Sequence, residues 1–256
     1  MSRVPAALAL ASLLSCGQRG PSLIAAAPAG SETCDPHAVF AVNGGEYLVQ
    51  TNEWNSREPQ CVAVRGGGFA ITRAAFGLPA KGPPATYPSI FRGCHWGVCS
   101  KDSGMPALVS TLPEVTSSWT VTVGDGAAYD VAYDVWFNRA PATSGTPDGA
   151  ELMIWLDHGG GVGSFGERMA TVTLDGATWD VWQGPMSGWN YIAYVRTEPT
   201  RAVRDLDVRA FVRDAVTRGA VDPTWHLIDV EAGFEVWQGG RGMTSNSFSV
   251  AVHDHD

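Results

Sequence analysis

The chain has 256 residues, with 10 Trp, 30 Gly and 16 Pro, and only two lysines (Lys81 and Lys101) among its 17 basic residues. That length allows one large domain with a sizeable core, and the formal net charge of −9 argues against a nucleic-acid surface. Abundant Gly and Pro between short apolar runs point to many turns and an all-β architecture.

Residues 1–30 read as an export signal and leader, ahead of a single domain over 31–256. Arg3 is a minimal positive start, and Pro5 to Ser15 form an apolar stretch too short to span a bilayer. Two outcomes stay open. Ala25-Ala26-Ala27 resembles a cleavage site for secretion, whereas Leu13-Leu14-Ser15-Cys16 resembles a lipobox that would anchor the chain at Cys16 on the outer face of the cell membrane. Of the five cysteines, setting Cys16 aside leaves four, and the expected disulfides are Cys34–Cys61 and Cys94–Cys99. A zinc site on Cys94-His95-Trp96-Gly97-Val98-Cys99 is the alternative, with poor ligand spacing.

Alternation of apolar and polar residues then marks strands along the chain. The first is 46–55, with Asn52 and Trp54 on one face, followed by 119–123. In 129–137, Tyr129, Val131, Tyr133, Val135 and Phe137 alternate with Asp130, Ala132, Asp134 and Trp136. In Glu151-Leu152-Met153-Ile154-Trp155, the acid, Met153 and Trp155 oppose Leu152, Ile154 and Leu156. The glycine run Gly159-Gly160-Gly161-Val162-Gly163 has no following Lys-Ser/Thr and is not a phosphate cradle; it reads as a mobile loop at a cleft edge. Further strands are expected over 168–174, 178–183, 191–197, 226–231 and 246–252, separated by turns such as Gly124-Asp125-Gly126 and Asp175-Gly176. Helical spacing of Val208, Phe211, Val212 and Ala215 predicts a single amphipathic helix over 206–217, with Asp205 as N-cap and Arg218-Gly219 as its stop. In Gly233-Phe234-Glu235-Val236-Trp237, the last strand motif, Glu235 and Trp237 sit mid-strand opposite Phe234 and Val236.

A glutamate on a strand most often faces solvent. Glu151 and Glu235 are set apart by apolar, Trp-rich company and by a repeated acid-then-tryptophan alternation, and Asp134-Val135-Trp136 adds a third case. Asp180-Val181-Trp182 is a fourth, but Gly184-Pro185 ends its strand at once and the context is structural. Acids and flat aromatics on one face suit a sugar-binding cleft. Paired carboxyls about 5–5.5 Å apart carry out retaining glycoside hydrolysis, one attacking while the other donates a proton. A carbohydrate-binding sandwich without turnover is the competing reading; it needs aromatics but no paired acids.

These blocks, with Tyr47-Leu48-Val49-Gln50-Thr51-Asn52-Glu53-Trp54-Asn55, Tyr87-Pro88-Ser89-Ile90-Phe91-Arg92-Gly93-Cys94-His95-Trp96-Gly97 and Trp189-Asn190, resemble glycoside hydrolase family 12, in its actinobacterial form, over about residues 34–252. The resemblance implies a two-sheet β-jelly-roll sandwich with a concave cleft, a retaining endo-β-1,4-glucanase activity, no cofactor and no metal. By motif match it implies Glu151 as nucleophile, Glu235 as acid/base and Asp134 as the acid supporting the nucleophile. It likewise implies Asn52, Trp54, His95, Met153, Trp155 and Trp237 as cleft residues. The implied partner is a β-glucan, of cellulose or mixed-linkage type with xyloglucan as alternative, bound by a monomer. Two departures bear on substrate preference: Gly163-Ser164-Phe165-Gly166 stands where the family usually carries a Pro-x-Gly turn, and Asp157 stands where Asn is expected.

Overall fold

The computed structural model describes residues 22–24, 30–124 and 127–253. Most of the expected export segment, with Cys16 and Ala25-Ala26-Ala27, lies outside the described residues, as do Asp125 and Gly126 of one expected turn. Ser22–Ile24, inside the expected leader, pairs in parallel with Ala38–Val42.

Two sheets, of 14 and 6 strands, form the sandwich. The larger runs, edge to edge, through Ser22–Ile24, Ala38–Val42, Tyr47–Gln50, Ser89–His95, His226–Gly233, Ala128–Asn138, Ala150–Gly159, Asn190–Arg196, Ala177–Pro185 and Glu167–Leu174. The smaller holds Ala202–Asp207, Glu114–Thr122, Thr244–His253, Gly68–Arg73, Cys61–Arg65 and Glu32–Thr33 in that order. Alternation sorts the central strands of the larger sheet between two faces. Tyr129, Val131, Tyr133, Val135 and Phe137, with Leu152, Ile154 and Leu156, enter the core between the sheets. Ala132, Met153, Trp155, Tyr191, Ala193 and Trp237 form a second apolar layer on the opposite, cleft face. Trp119 bridges the sheets, edge-on to Tyr133 at 5.2 Å and tilted against Phe234 at 5.9 Å, with its Nε1–H donated to Ser245 Oγ at 3.0 Å.

The helix is Val208–Thr217, two residues shorter at its start than the spacing predicts. Asp207, not Asp205, caps it, its Oδ1 accepting from Ala210 N at 3.1 Å. Residues up to Asp207 are taken by the edge strand Ala202–Asp207, which pairs with Glu114–Thr122, and Asp205 is bonded there to Ser118. The helix packs Phe211 edge-on against Trp179 and Tyr194 on the inner face of the larger sheet. Both expected disulfides are present, Cys34–Cys61 and Cys94–Cys99. The second closes the hairpin that carries His95 and Trp96.

Two other expectations need correction. The strand expected over 46–55 ends at Gln50, because Asn52 adopts φ 39°, in the left-handed region, and turns the chain out of the sheet. Glu235 is not mid-strand: His226–Gly233 ends before it and Val236–Gly240 begins after it. The chain changes partners there, from Ser89–His95 to Ala75–Gly77. The glycine run after Gly159 lies beside the cleft-side layer, with Gly161 and Gly163 exposed to open space. Val162 is buried in the cleft-side layer, and a Cβ on Gly160 (φ 68°) would lie 2.5 Å from Ala128 Cα.

Candidate active site

Strand Ala128–Asn138 is the spine of the cleft floor. Asp134 lies opposite Met153 on one neighbour and Glu231 on the other, and Trp136 lies opposite Glu151 and Asp229. Asp130, Asp134, Asp229 and Glu231 are buried, whereas Glu151 and Glu235 are partly exposed. Glu235 is pinned at the strand break by its own backbone: its N–H reaches Asp130 Oδ1 at 3.3 Å, and its carbonyl accepts from Asp130 N at 3.0 Å. Glu151 Oε2 accepts the indole N–H of Trp189 at 2.7 Å. On the far side of the spine, His95 Nδ1 contacts Asp229 Oδ2 at 3.2 Å and also Glu231 Oε1. Glu231 Oε2 accepts from Gln50 Nε2 and Ser89 Oγ, both at 2.8 Å.

So many carboxyls in a low-dielectric floor cannot all ionise. Burial pushes Asp134 well above the usual carboxylate range, with Glu151, Glu231 and Asp229 adding to the effect. The two partly exposed glutamates differ in their surroundings. Glu151 is raised to about 8, chiefly by burial and then by Glu235 and Glu231, with the Trp189 hydrogen bond and the His95 charge working against the rise. Burial pushes Glu235 well above its usual range, and the neighbouring Asp130 works in the same direction. Of the two, Glu235 is therefore the more strongly held in its protonated form and Glu151 the more readily ionised.

The other residues singled out from the sequence fall into two groups. Trp54 is 50% exposed beside a hollow of about 640 Å³ lined by Asn55, Arg57, Glu58, Gly77 and Leu78. Asn52 precedes it at the turn. Met153, Trp155 and Trp237 are packed into the apolar layer of the floor, Trp155 being only 2% exposed. Trp237 donates its indole N–H to Gly82 O at 2.6 Å, so these three support the cleft surface more than they form it. Of the two departures, Asp157 accepts from Tyr129 OH at 3.2 Å and Arg201 Nε at 3.0 Å, contacts that favour a carboxylate over an amide. Phe165 stands half exposed, edge-on to Tyr191 at 5.6 Å. Asp180 is held by Thr171 and Arg168, a structural arrangement as expected.

The family model described as glycosyl hydrolase family 12 matches residues 45–253. The chain belongs to glycosyl hydrolase family 12. The structure of endoglucanase cel12A from Rhodothermus marinus is similar at a TM-score of 0.83 and 45% identity, over 87% of this chain and 99% of that one. A probable cellulase, Cel12b, of Mycobacterium tuberculosis is 30% identical over 59% of this chain and 99% of its own length. A xyloglucan-specific endo-beta-1,4-glucanase A of Emericella nidulans is 32% identical over 81% of this chain and 86% of its own. The family 12 chain is thus a glycoside hydrolase of the endoglucanase kind, and its jelly-roll fold is that of the family.

Sequence reasoning assigned no role in this family 12 enzyme to Asp130, Trp189, Asp229 or Glu231. The signal was present for three of them. Asp130 shares the alternation that placed Asp134, and Ile228-Asp229-Val230-Glu231 sets two acids on one face of an apolar strand. Trp189 follows Pro185, outside any strand, and carries no periodicity. Asp130 has a measurable consequence. An ionised Asp130 disfavours a second negative charge on Glu235, so Asp130→Asn is expected to lower the Glu235 pKa by about one unit or more. Carbon-13 titration of the Glu235 carboxyl reads this directly; an unmoved titration would mean that burial alone holds the proton.

Proposed function

We propose that this family 12 enzyme is an exported endo-acting hydrolase of β-1,4-glucosidic bonds in soluble or amorphous glucans of cellulose or mixed-linkage type, working with retention by double displacement. The reading is carried by the opposed surroundings of Glu151 and Glu235. Glu151, favoured as the anion by the Trp189 N–H, attacks the anomeric carbon. Glu235, kept as the acid, gives its proton to the glycosidic oxygen as that C–O bond breaks. A glucosyl ester on Glu151 results, inverted at the anomeric centre. Glu235, now a carboxylate, takes a proton from water, which attacks the same carbon and frees Glu151. Two inversions leave a β product.

Asp134 is taken as the support of the nucleophile. Its carboxyl is driven to the protonated form by burial and by the surrounding acids, and its Oδ1 has no hydrogen-bond partner among the described residues. Trp54, half exposed at one end, offers an indole face to a glucosyl unit, and Asn52 and His95 offer polar contacts along the same cleft. Monomeric action, secretion, and a single catalytic domain over 31–256 complete the reading; release after Ala27 and lipid attachment at Cys16 are its two alternative ends. Among the described residues no helix is long and apolar enough to cross a membrane.

Xyloglucan is the second substrate reading, favoured by the likeness to the Emericella nidulans enzyme. Anomeric proton NMR during early hydrolysis of a cello-oligosaccharide tests the mechanism: the β signal is expected first, and early α product would overturn retention. Initial rates on carboxymethyl cellulose, mixed-linkage glucan and xyloglucan test the substrate. The first two are expected to exceed the third, and the reverse order selects xyloglucan.

A further inference from the structure

The cleft floor holds six acids, Asp130, Asp134, Glu151, Asp229, Glu231 and Glu235. Among the described residues, His95 is the only basic side chain buried with them. Its surroundings fix both its orientation and its proton. Nδ1 faces two carboxylates of strand His226–Gly233, Asp229 and Glu231. Glu231 spends its other oxygen accepting from Gln50 of strand Tyr47–Gln50 and from Ser89 of strand Ser89–His95. Glu231 thus accepts from an amide N–H and a hydroxyl on one oxygen while its other oxygen faces the His95 ring. The ring is held by Trp96 at 3.9 Å, Phe91 at 5.9 Å and Trp136 of the spine strand at 6.2 Å. The Cys94–Cys99 disulfide closes the hairpin on either side of it.

His95, Asp229 and Glu231 also converge as three metal ligands would. The donor chemistry argues for a proton instead: Nδ1 is hydrogen-bonded to Asp229 and paired with Glu231, and Gln50 and Ser89 point N–H and O–H into the same group. An aromatic wall then leads from His95 toward Glu151. Trp96 meets Trp136 at 5.4 Å, Trp136 meets Trp189 at 5.3 Å, and Trp189 bonds Glu151.

We propose that His95 is a cation built into the cleft floor, clamped by Asp229 and Glu231, and that it is a positioning residue that favours the ionised form of Glu151 against the surrounding acids. The proposal rests on Glu151 being the attacking carboxylate. Glu151 is faced by Glu231, Glu235 and Asp134, with Asp130 and the Tyr191 hydroxyl also within electrostatic reach. Every one of those acids disfavours its charge; only the Trp189 N–H and His95 favour it. Burial lowers the His95 pKa, but Glu231 and Asp229 together outweigh it and raise the ring to about 9, so the cation persists through neutral pH. The contribution to Glu151 is present below the His95 pKa and fades as pH rises through about 9.

Two measurements test this. Nitrogen-15 NMR of the full chain, unaltered, is expected to find both His95 ring nitrogens protonated at pH 7; a neutral ring at that pH overturns the proposal without recourse to any variant. In His95→Gln, the acid limb of kcat/KM is expected to move up by about one pH unit, with the plateau above it unchanged. A variant with raised KM and an unmoved acid limb would make His95 a sugar contact only, and the proposal would fail. Should azide chemistry on Glu151 variants exclude Glu151 as nucleophile while His95 remains an imidazolium, the functional reading fails and the fixed cation stands.

Discussion

Glu151→Ala is expected to lose on the order of 10⁴-fold or more in turnover, and to recover turnover with added azide on a substrate with a good leaving group, giving an α-glycosyl azide. The stereochemistry carries the argument. With the carboxylate gone, azide attacks the glycoside once, from the face Glu151 would have used, and a single inversion gives α. Glu235→Ala behaves differently. An activated aryl leaving group departs without help, the ester on Glu151 still forms, and azide attacks it without general-base assistance. That product has undergone two inversions and is β. On an unactivated polysaccharide, loss of general acid catalysis costs about 10²–10⁴-fold. The two azide products, separated by proton coupling at the anomeric carbon, therefore assign the two roles independently of rate. Identical azide anomers from both variants would dismantle the assignment.

The largest expected stability effect is far from this chemistry. Trp119→Ala should cost about 3–5 kcal/mol, as removal of a fully buried large aromatic generally does. Trp119 is buried at the contact between the sheets, where Tyr133 and Phe234 belong to one and Ser245 to the other. Neither sheet can close the resulting void without drawing the other after it. Trp119→Phe keeps most of the apolar volume but loses the indole N–H, leaving Ser245 without its donor, and should cost less than the alanine change. Urea unfolding checks both variants: a lowered midpoint at unchanged slope is expected, and a Trp119→Ala midpoint within error of the parent would remove Trp119 from the sheet-to-sheet contact.

Much of this organisation was legible from alternation. The residues of 129–137 and of Glu151 to Leu156 divide between core and cleft as their parity demands, since one face of each strand had to be apolar to pack. The strands expected over 168–174, 178–183, 226–231 and 246–252 lie within observed strands. The failures have local causes. Asp205 looked like a cap because the pattern of 208–215 was visible, whereas pairing of 202–207 with a distant strand was not. Glu235 looked mid-strand because its neighbours alternate, and only the change of partner from Ser89–His95 to Ala75–Gly77 breaks the strand there. Ser89–His95 itself carries no clean alternation: Ile90, Phe91 and Cys94 are buried on both faces, as in a strand near the centre of a sheet. That two acidic strands flank the spine is a matter of strand order, which periodicity does not encode; it is visible only in the folded structure.

The pairing of Ala150–Gly159 has a kinetic side. On one edge it meets Ala128–Asn138, which precedes it closely; on the other it runs parallel to Asn190–Arg196, which the chain reaches only after forming two further strands. Parallel pairing needs such a crossover, and distant pairings form slowly because the intervening loop must first be closed. Glu235 joins from farther still, when His226–Gly233 docks on the spine. The reactive groups thus come together only at the end of assembly. A chain that has folded locally but not globally has each acid on its own strand and no cleft between them, so hydrolysis itself reports that the last strands have found their places.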